Sequence, residues 1–280
     1  MVRAMKETFK AQPIYLVPIL VSLVIGLACT YLVLASSTEV YAVTPFPEGL
    51  VGSLGNGIYF VVLTAMGASL LYLLLKRKNL RIVAFITGSA LTAAAFLLSV
   101  VYLWSLLSVL DTPYVPFVVL FFAIMLTVVF DFTIFRRKGL SYRAAILLLG
   151  GALGSFLGIS IPPLSAILIL ALLAAYDVFA VYRGPVGKIA RTGLDNLRGL
   201  SLPFKEVQIG LGDLTFYSML VSFVLAIAGP SVCLFSTFGV LVGSFLAFKM
   251  LENKGIFPGL PFPIALGLAP LLVWFVLSTH

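Results

Sequence analysis

Two carboxylates stand where carboxylates are expensive. Asp177, within residues 172–181, and Asp213, within residues 207–217, each lie inside an apolar run long enough to span a bilayer. A carboxylate at membrane depth costs roughly 2.5–3.5 kcal/mol even on lenient insertion scales, so it marks a functional site and calls for a polar partner. Asp177 precedes Arg183 by six residues and Asp213 follows Lys205 by eight, about 9 Å and about 12 Å at helical rise. One connection carries both basic residues, so the two segments run antiparallel and their carboxyls come to similar depth. Two adjacent carboxyls in a poorly solvated place can divide acid–base work. The ionised member takes a proton from a water attacking a carbonyl, and the protonated member donates to the carbonyl oxygen. Residue types do not say which aspartate takes which part. The same pair could alternatively line a cation or proton path, as in a channel or transporter, because ion pathways use the same chemistry.

The neighbours of the pair have packing explanations as well as site-shaping ones. Gly210 and Gly212 bracket Leu211 just ahead of Asp213, and small residues let another backbone approach closely, whether of a neighbouring helix or of a substrate. Tyr176 points about 100° away from Asp177 on a helix, which suits packing or substrate contact better than proton transfer. Pro258, Pro261 and Pro263 cluster at the entry to the last apolar run, where proline is tolerated in a first turn. The other acids belong to termini, loops or interfaces, with Asp131 placed at the inner interface beside a basic neighbour. Absences narrow the chemistry further. The single histidine is His280, so a Ser-His or Cys-His site and a His-Glu-x-x-His zinc site are excluded. No Gly-rich loop with Lys-Ser/Thr follows the phosphate-binding pattern. Neither a metal nor an organic cofactor is implied.

The elements that must hold these residues are membrane helices. Of 280 residues 61% are hydrophobic and 10% charged, with mean hydropathy +1.17, far from the roughly 25% charged residues of a soluble domain. Apolar runs occur at about 13–35, 57–75, 82–110, 114–135, 142–160, 164–182, 207–228, 230–249 and 261–279. The first exceeds the core of a signal peptide and reads as a retained anchor. All eighteen Lys and Arg fall before the first run or after the second, fourth, sixth and eighth, whereas the connections 36–56, 111–113, 161–163 and 229 contain none. This alternation supports nine spans and, by the positive-inside rule, a cytoplasmic N-terminus and an external C-terminus. Pro45, Pro47, Gly49, Gly52, Gly55 and Asn56 read as a turn-rich external loop. Residues 183–206 form the longest internal connection, with an amphipathic piece at 186–200 or a mobile loop as its alternatives. The expected organisation is a single membrane domain, 1–280, with helices one to five in 1–163 and the candidate site in 164–280. The net charge of +8 is absorbed by these border clusters and implies no nucleic acid. Cys29 and Cys233 lie within apolar segments and read as small reduced core residues.

At these residues the sequence resembles the presenilins and signal peptide peptidases, intramembrane aspartyl proteases of the Gly-x-Gly-Asp type, and most of all a microbial, archaeal-like presenilin homologue. The family's Tyr-Asp motif is matched by Tyr176-Asp177 and its Gly-x-Gly-Asp motif by Gly210-Leu211-Gly212-Asp213. Its Pro-Ala-Leu motif is matched by Pro258-Gly259-Leu260, followed by Pro261, with Gly where Ala is usual. The flanks, Tyr176 to Gly187 and Phe216-Tyr217-Ser218, look similar too. The likeness is close over 164–278 and extends to 1–163 only in segment number and hydropathy. It implies a nine-helix fold in which Asp177 and Asp213 hydrolyse peptide bonds within membrane-spanning segments. It also implies that Pro258 to Pro261 sits beside the pair and offers unpaired backbone groups to substrate. Substrates would be single-span membrane proteins or signal peptides. Accessory subunits would not be required, a homo-oligomer is open, and the setting would be a microbial cell membrane. The inward run of the sixth segment resembles presenilin topology, which signal peptide peptidases invert.

Overall fold

The computed structural model describes residues 10–36, 38, 40–110, 112–184, 199–254 and 257–278. After a 3-10 turn at Pro13–Leu16 come α1 (Val17–Ala35), α2 (Leu50–Lys76), α3 (Leu80–Leu107), α4 (Val115–Arg136), α5 (Leu140–Ser160) and α6 (Pro163–Tyr182). A β-hairpin follows, β1 (Ser201–Phe204) and β2 (Val207–Gly210), and then α7 (Leu211–Lys254) and α8 (Pro261–Ser278). Eight of these helices are long and apolar enough to cross a membrane, and the chain is a multi-pass integral membrane protein. Helices are what such runs must form, because within hydrocarbon every backbone polar group needs an internal partner. Proline opens α1, α4 and α6, where its missing N–H costs nothing. Lys76 and Arg136 close α2 and α4, facing the negative end of each helix dipole.

Element α7 is bent. Gly229 has φ 79° and ψ −178°, a conformation open to glycine, and Pro230 after it donates no N–H. The arm after Gly229 folds back on the arm before it, and the Cys233 thiol donates to the Val221 carbonyl at 3.4 Å.

The core lies where α7 packs on α8, α5 and α1. On α5 the face Gly150, Gly151, Gly154, Ser155 and Gly158 is buried. A methyl group on Gly158 would sit 2.6 Å from the Met219 carbonyl oxygen and 2.9 Å from the Phe223 nitrogen, so α5 and α7 meet backbone to backbone, the close packing that small residues permit in lipid. In α2, by contrast, only Ser53, Asn56 and Gly57 are fully buried, and the helix packs mainly along α6.

Three expectations from the sequence change. First, the run 207–228 is not helical from its start: 207–210 is β2, paired antiparallel with β1 in the register Ser201↔Gly210, Leu202↔Ile209, Pro203↔Gln208, Phe204↔Val207. Val207 and Ile209 are buried while Gln208 is exposed, the period of two that a one-sided strand requires. Lys205, at φ 52°, turns the chain. Second, α2 begins at Leu50, so Gly52, Gly55 and Asn56 belong to a helix and not to the external loop. The Asn56 side chain exchanges hydrogen bonds with the Phe46 backbone, accepting from its N–H at 3.0 Å and donating to its carbonyl at 3.1 Å, and also donates to Ser165 at 2.9 Å. These bonds, with Ser165 donating to Ser53 at 3.0 Å, tie the loop and the start of α2 to α6. Third, Asp131 accepts from Thr92 of α3 at 2.8 Å, a neutral partner across the α3–α4 contact in place of the expected basic one. The amphipathic piece expected at 186–200 lies outside the described residues except for Gly199 and Leu200, which form a turn into β1.

Candidate active site

Three elements bring the predicted residues together. Asp177 sits five residues before the end of α6. Asp213 sits in the first turn of α7, where a carboxylate faces the positive end of the helix dipole. The strand β2 delivers Gly210 to that helix start, and the Leu211 N–H donates to the Leu200 carbonyl at 2.9 Å, closing the hairpin onto α7. A side-chain carbon on Gly210 would lie 3.3 Å from Asp213 Oδ2, so the bare α-carbon leaves room for the carboxyl to fold back over it. The hairpin itself is anchored: the Tyr142 hydroxyl of α5 donates to the Ser201 carbonyl and accepts from the Gly199 N–H, each at 3.0 Å.

The stretch entering α8 reaches both acids. The Leu260 N–H donates to Asp177 Oδ2 at 3.0 Å. One residue earlier, a methyl group on Gly259 would lie 2.9 Å from Asp213 Oδ2 and 3.1 Å from Oδ1. The Gly259–Leu260 peptide therefore touches both carboxyl groups. The Gly259 carbonyl accepts from the Tyr217 hydroxyl at 2.8 Å. This alters the expectation that the stretch offers unpaired groups, since one donor and one acceptor are already engaged, by Asp177 and by Tyr217. Pro258 and Leu260 are buried, Pro261 is half-buried and opens α8, and Tyr176 is half-buried beside Asp177. Leu211 is a core side chain, whereas Gly212 is exposed, and a methyl group there would come no closer than 3.9 Å to the Phe216 ring. The two glycines of the motif thus differ, one lying against Asp213 and the other facing open space.

Beside Asp213 is a cavity of about 80 Å³ whose polar lining includes Asp213, Tyr217, Ser244 and Gln208. A water's share of liquid volume is ~30 Å³ and it needs two to four polar partners, so the cavity has the size and lining to hold water within reach of the carboxyl. Among the described residues no group of three or more His, Cys, Asp or Glu is placed to hold a metal ion. Two carboxyls beside one peptide, a peptide donor and a water-sized polar cavity together suit attack of water on a carbonyl.

Residue Tyr217 was not singled out by sequence reasoning except as a flank of the motif. The available signal was its place four residues after Asp213, which puts both on one face of α7. The Gly259 geometry gives a sharp prediction. Gly259→Val puts branched carbon into the space of the Asp213 carboxyl, and any reaction that uses the two acids slows by more than about 10²-fold, the scale set by a misplacement near 1 Å. Gly259→Ala, whose one methyl meets a rotatable carboxyl, loses less. Initial rates of the two variants against the parent check the order.

No family model matches the chain. Presenilin-B of Dictyostelium discoideum is 34% identical over 122 residues, covering 39% of this chain and 25% of that protein, so the chain spans about a quarter of the length of this curated relative. Two structures of a presenilin family intramembrane aspartate protease, in space groups C222 and P2, each superpose with a TM-score of 0.64. At 22% and 21% identity they cover 93% of this chain and 97% and 96% of theirs. The fold of this chain is presenilin-like.

Proposed function

We propose that this protein is an intramembrane aspartyl endopeptidase that hydrolyses peptide bonds within membrane-spanning segments. Asp177 and Asp213 are its catalytic pair, and Tyr176, Gly210, Leu211, Gly212, Pro258, Gly259, Leu260 and Pro261 shape the site around them. The observation that carries this reading is the Gly259–Leu260 peptide: it bonds Asp177 through its N–H and lies against Asp213, so both carboxyls border one small volume where the end of α6 meets the start of α7. The presenilin-like fold supports the same reading and gives no support to an ion path.

In the proposed reaction one carboxyl, ionised, takes a proton from water while that water attacks the substrate carbonyl, and the other, protonated, donates to the carbonyl oxygen. Collapse of the tetrahedral carbon expels the amine, which takes the proton the first carboxyl gained from water, while the second carboxyl takes back the proton it gave as the C=O re-forms, so the pair ends with the one proton it began with. Around this chemistry the proposal includes nine spans, with the two arms of α7 counted separately across Gly229, a cytoplasmic N-terminus and an external C-terminus. It takes 1–280 as one membrane domain with the catalytic helices in 164–280. It takes single-span proteins or signal peptides as substrates, a microbial cell membrane as the setting, and catalysis without accessory subunits.

A helical substrate hides its carbonyls in its own hydrogen bonds, so it must unwind locally before it is cut. Glycine costs a helix interior about 1 kcal/mol relative to alanine. Gly substitutions near the cut therefore speed cleavage by purified protein in detergent, and a Leu/Ala replacement slows it. Rates that ignore helix strength would remove the support for this step.

A further inference from the structure

We infer that Tyr217 is a positioning residue for the two-carboxyl site: its hydroxyl and Asp177 hold opposite ends of one peptide unit and so lock α7 to α6 at the aspartates. This inference rests on the proposed proteolytic function. The Gly259 carbonyl and the Leu260 N–H belong to the same planar group, in which rotation about the C–N bond is strongly hindered. Tyr217 of α7 donates to the carbonyl end at 2.8 Å, and Asp177 of α6 accepts from the N–H end at 3.0 Å. The peptide is therefore a strut between the two helices that carry the acids. Hydrogen bonds in series polarise one another, so the Tyr217 hydroxyl strengthens the donor that meets Asp177.

Position and burial make Tyr217 suited to this task. It is 3% exposed and stands four residues after Asp213, one turn along the same face of α7. Asp213, Tyr217 and Gly259 line the same small cavity. Ser244, also on that cavity, uses its hydroxyl on the Val240 carbonyl at 2.8 Å and so does not replace Tyr217. Helix α6 packs mainly on α2 and meets α7 far less, which leaves the strut as a principal tie between the two carboxyl-bearing turns. Gly259 completes the arrangement by having no side chain to push Asp213 away. A tyrosine serving only as packing would tolerate loss of its hydroxyl, because Phe keeps the ring.

The test is Tyr217→Phe in the full chain, with two readouts. The first is steady-state cleavage of a single-span peptide in detergent. The second is backbone hydrogen–deuterium exchange over residues 257–262, which reads the strut without any catalysis. Loss of one buried hydrogen bond that leaves the carbonyl unsatisfied corresponds to about tenfold in an equilibrium. Exchange at Leu260 is therefore about tenfold faster in the variant, confined to 257–262, and kcat falls about tenfold while KM stays within about twofold. Unchanged exchange at Leu260, a change in KM with kcat intact, or faster exchange spread over all of α7 and α8 would each overturn the inference. If the parent protein cuts no peptide, the proposed function fails, and the exchange measurement still decides the strut.

Discussion

Asp177→Asn and Asp213→Asn, made singly, each remove peptide cleavage by at least about 10²–10⁴-fold, the range that a positioned acid or base supplies, while the helix bundle stays folded. In the proposed reaction each acid has a proton-transfer step that the other does not perform. An amide side chain neither takes a proton from water nor gives one to an oxyanion at useful rates. The fold survives because asparagine keeps the shape of aspartate. At position 177 its carbonyl oxygen still accepts from the Leu260 N–H, the bond that Asp177 makes at 3.0 Å. At position 213 it remains a suitable residue near the start of a helix. Initial rates, paired with thermal unfolding in detergent, check both halves of this expectation. A variant that cuts near the parental rate would mean that its carboxyl takes no part in the chemistry.

The second large effect is directional. Given two single-span reporters matched in sequence but opposite in topology, the protein cuts the one with its N-terminus outside and leaves the other. The proposed orientation rests on the basic residues, which the positive-inside rule puts on the inner side, including Lys76, Arg77, Lys78 and Arg81 around the α2–α3 turn and Arg136, Arg137, Lys138 and Arg143 around the α4–α5 turn. An asymmetric site accepts a peptide in one chain direction, so the enzyme's orientation sets that of its substrate. The cut falls toward the inner end of the substrate. Asp177 precedes Arg183 by six residues, about 9 Å at helical rise, and Asp213 lies in the first turn of α7 just past the hairpin that carries Lys205. Mass spectrometry of the product ends reads both direction and position. Preferential cutting of the N-inside reporter, or cuts near the outer face, would reverse the orientation.

Much of this arrangement was legible because it rests on strong signals. Hydrocarbon forces long apolar runs into helices, and an acid inside such a run stands out, so Asp177 and Asp213 could be singled out as candidates without any structure. What escaped depended on weaker or longer-range physics. The strand Val207–Gly210 is continuous in sequence with the apolar run of α7, and four residues are too few for a period of two to compete with it. Its turn at Lys205 contains no glycine to announce it. The start of α2 was read as loop because Gly52, Gly55 and Asn56 are turn-forming types. In the fold, Asn56 finds its partners in the backbone of Phe46 and the side chain of Ser165, and tertiary bonds outweigh local propensity. Tyr217 was invisible as a site residue because its partner is a backbone carbonyl 42 residues away. Gly259 stands where the family usually has alanine, and only its closeness to the Asp213 carboxyl shows why a bare α-carbon matters there.

The central claim, that the pair hydrolyses peptide bonds within the membrane, is tested most directly in liposomes that contain purified protein, a single-span peptide with its N-terminus outside, and an ion-sensitive dye. The account predicts two complementary fragments from a cut inside the span. Neither fragment forms with Asp177→Asn or Asp213→Asn. Peptide left intact by the parent protein, together with an ion flux that both substitutions abolish, would contradict the account and assign the two acids to an ion path.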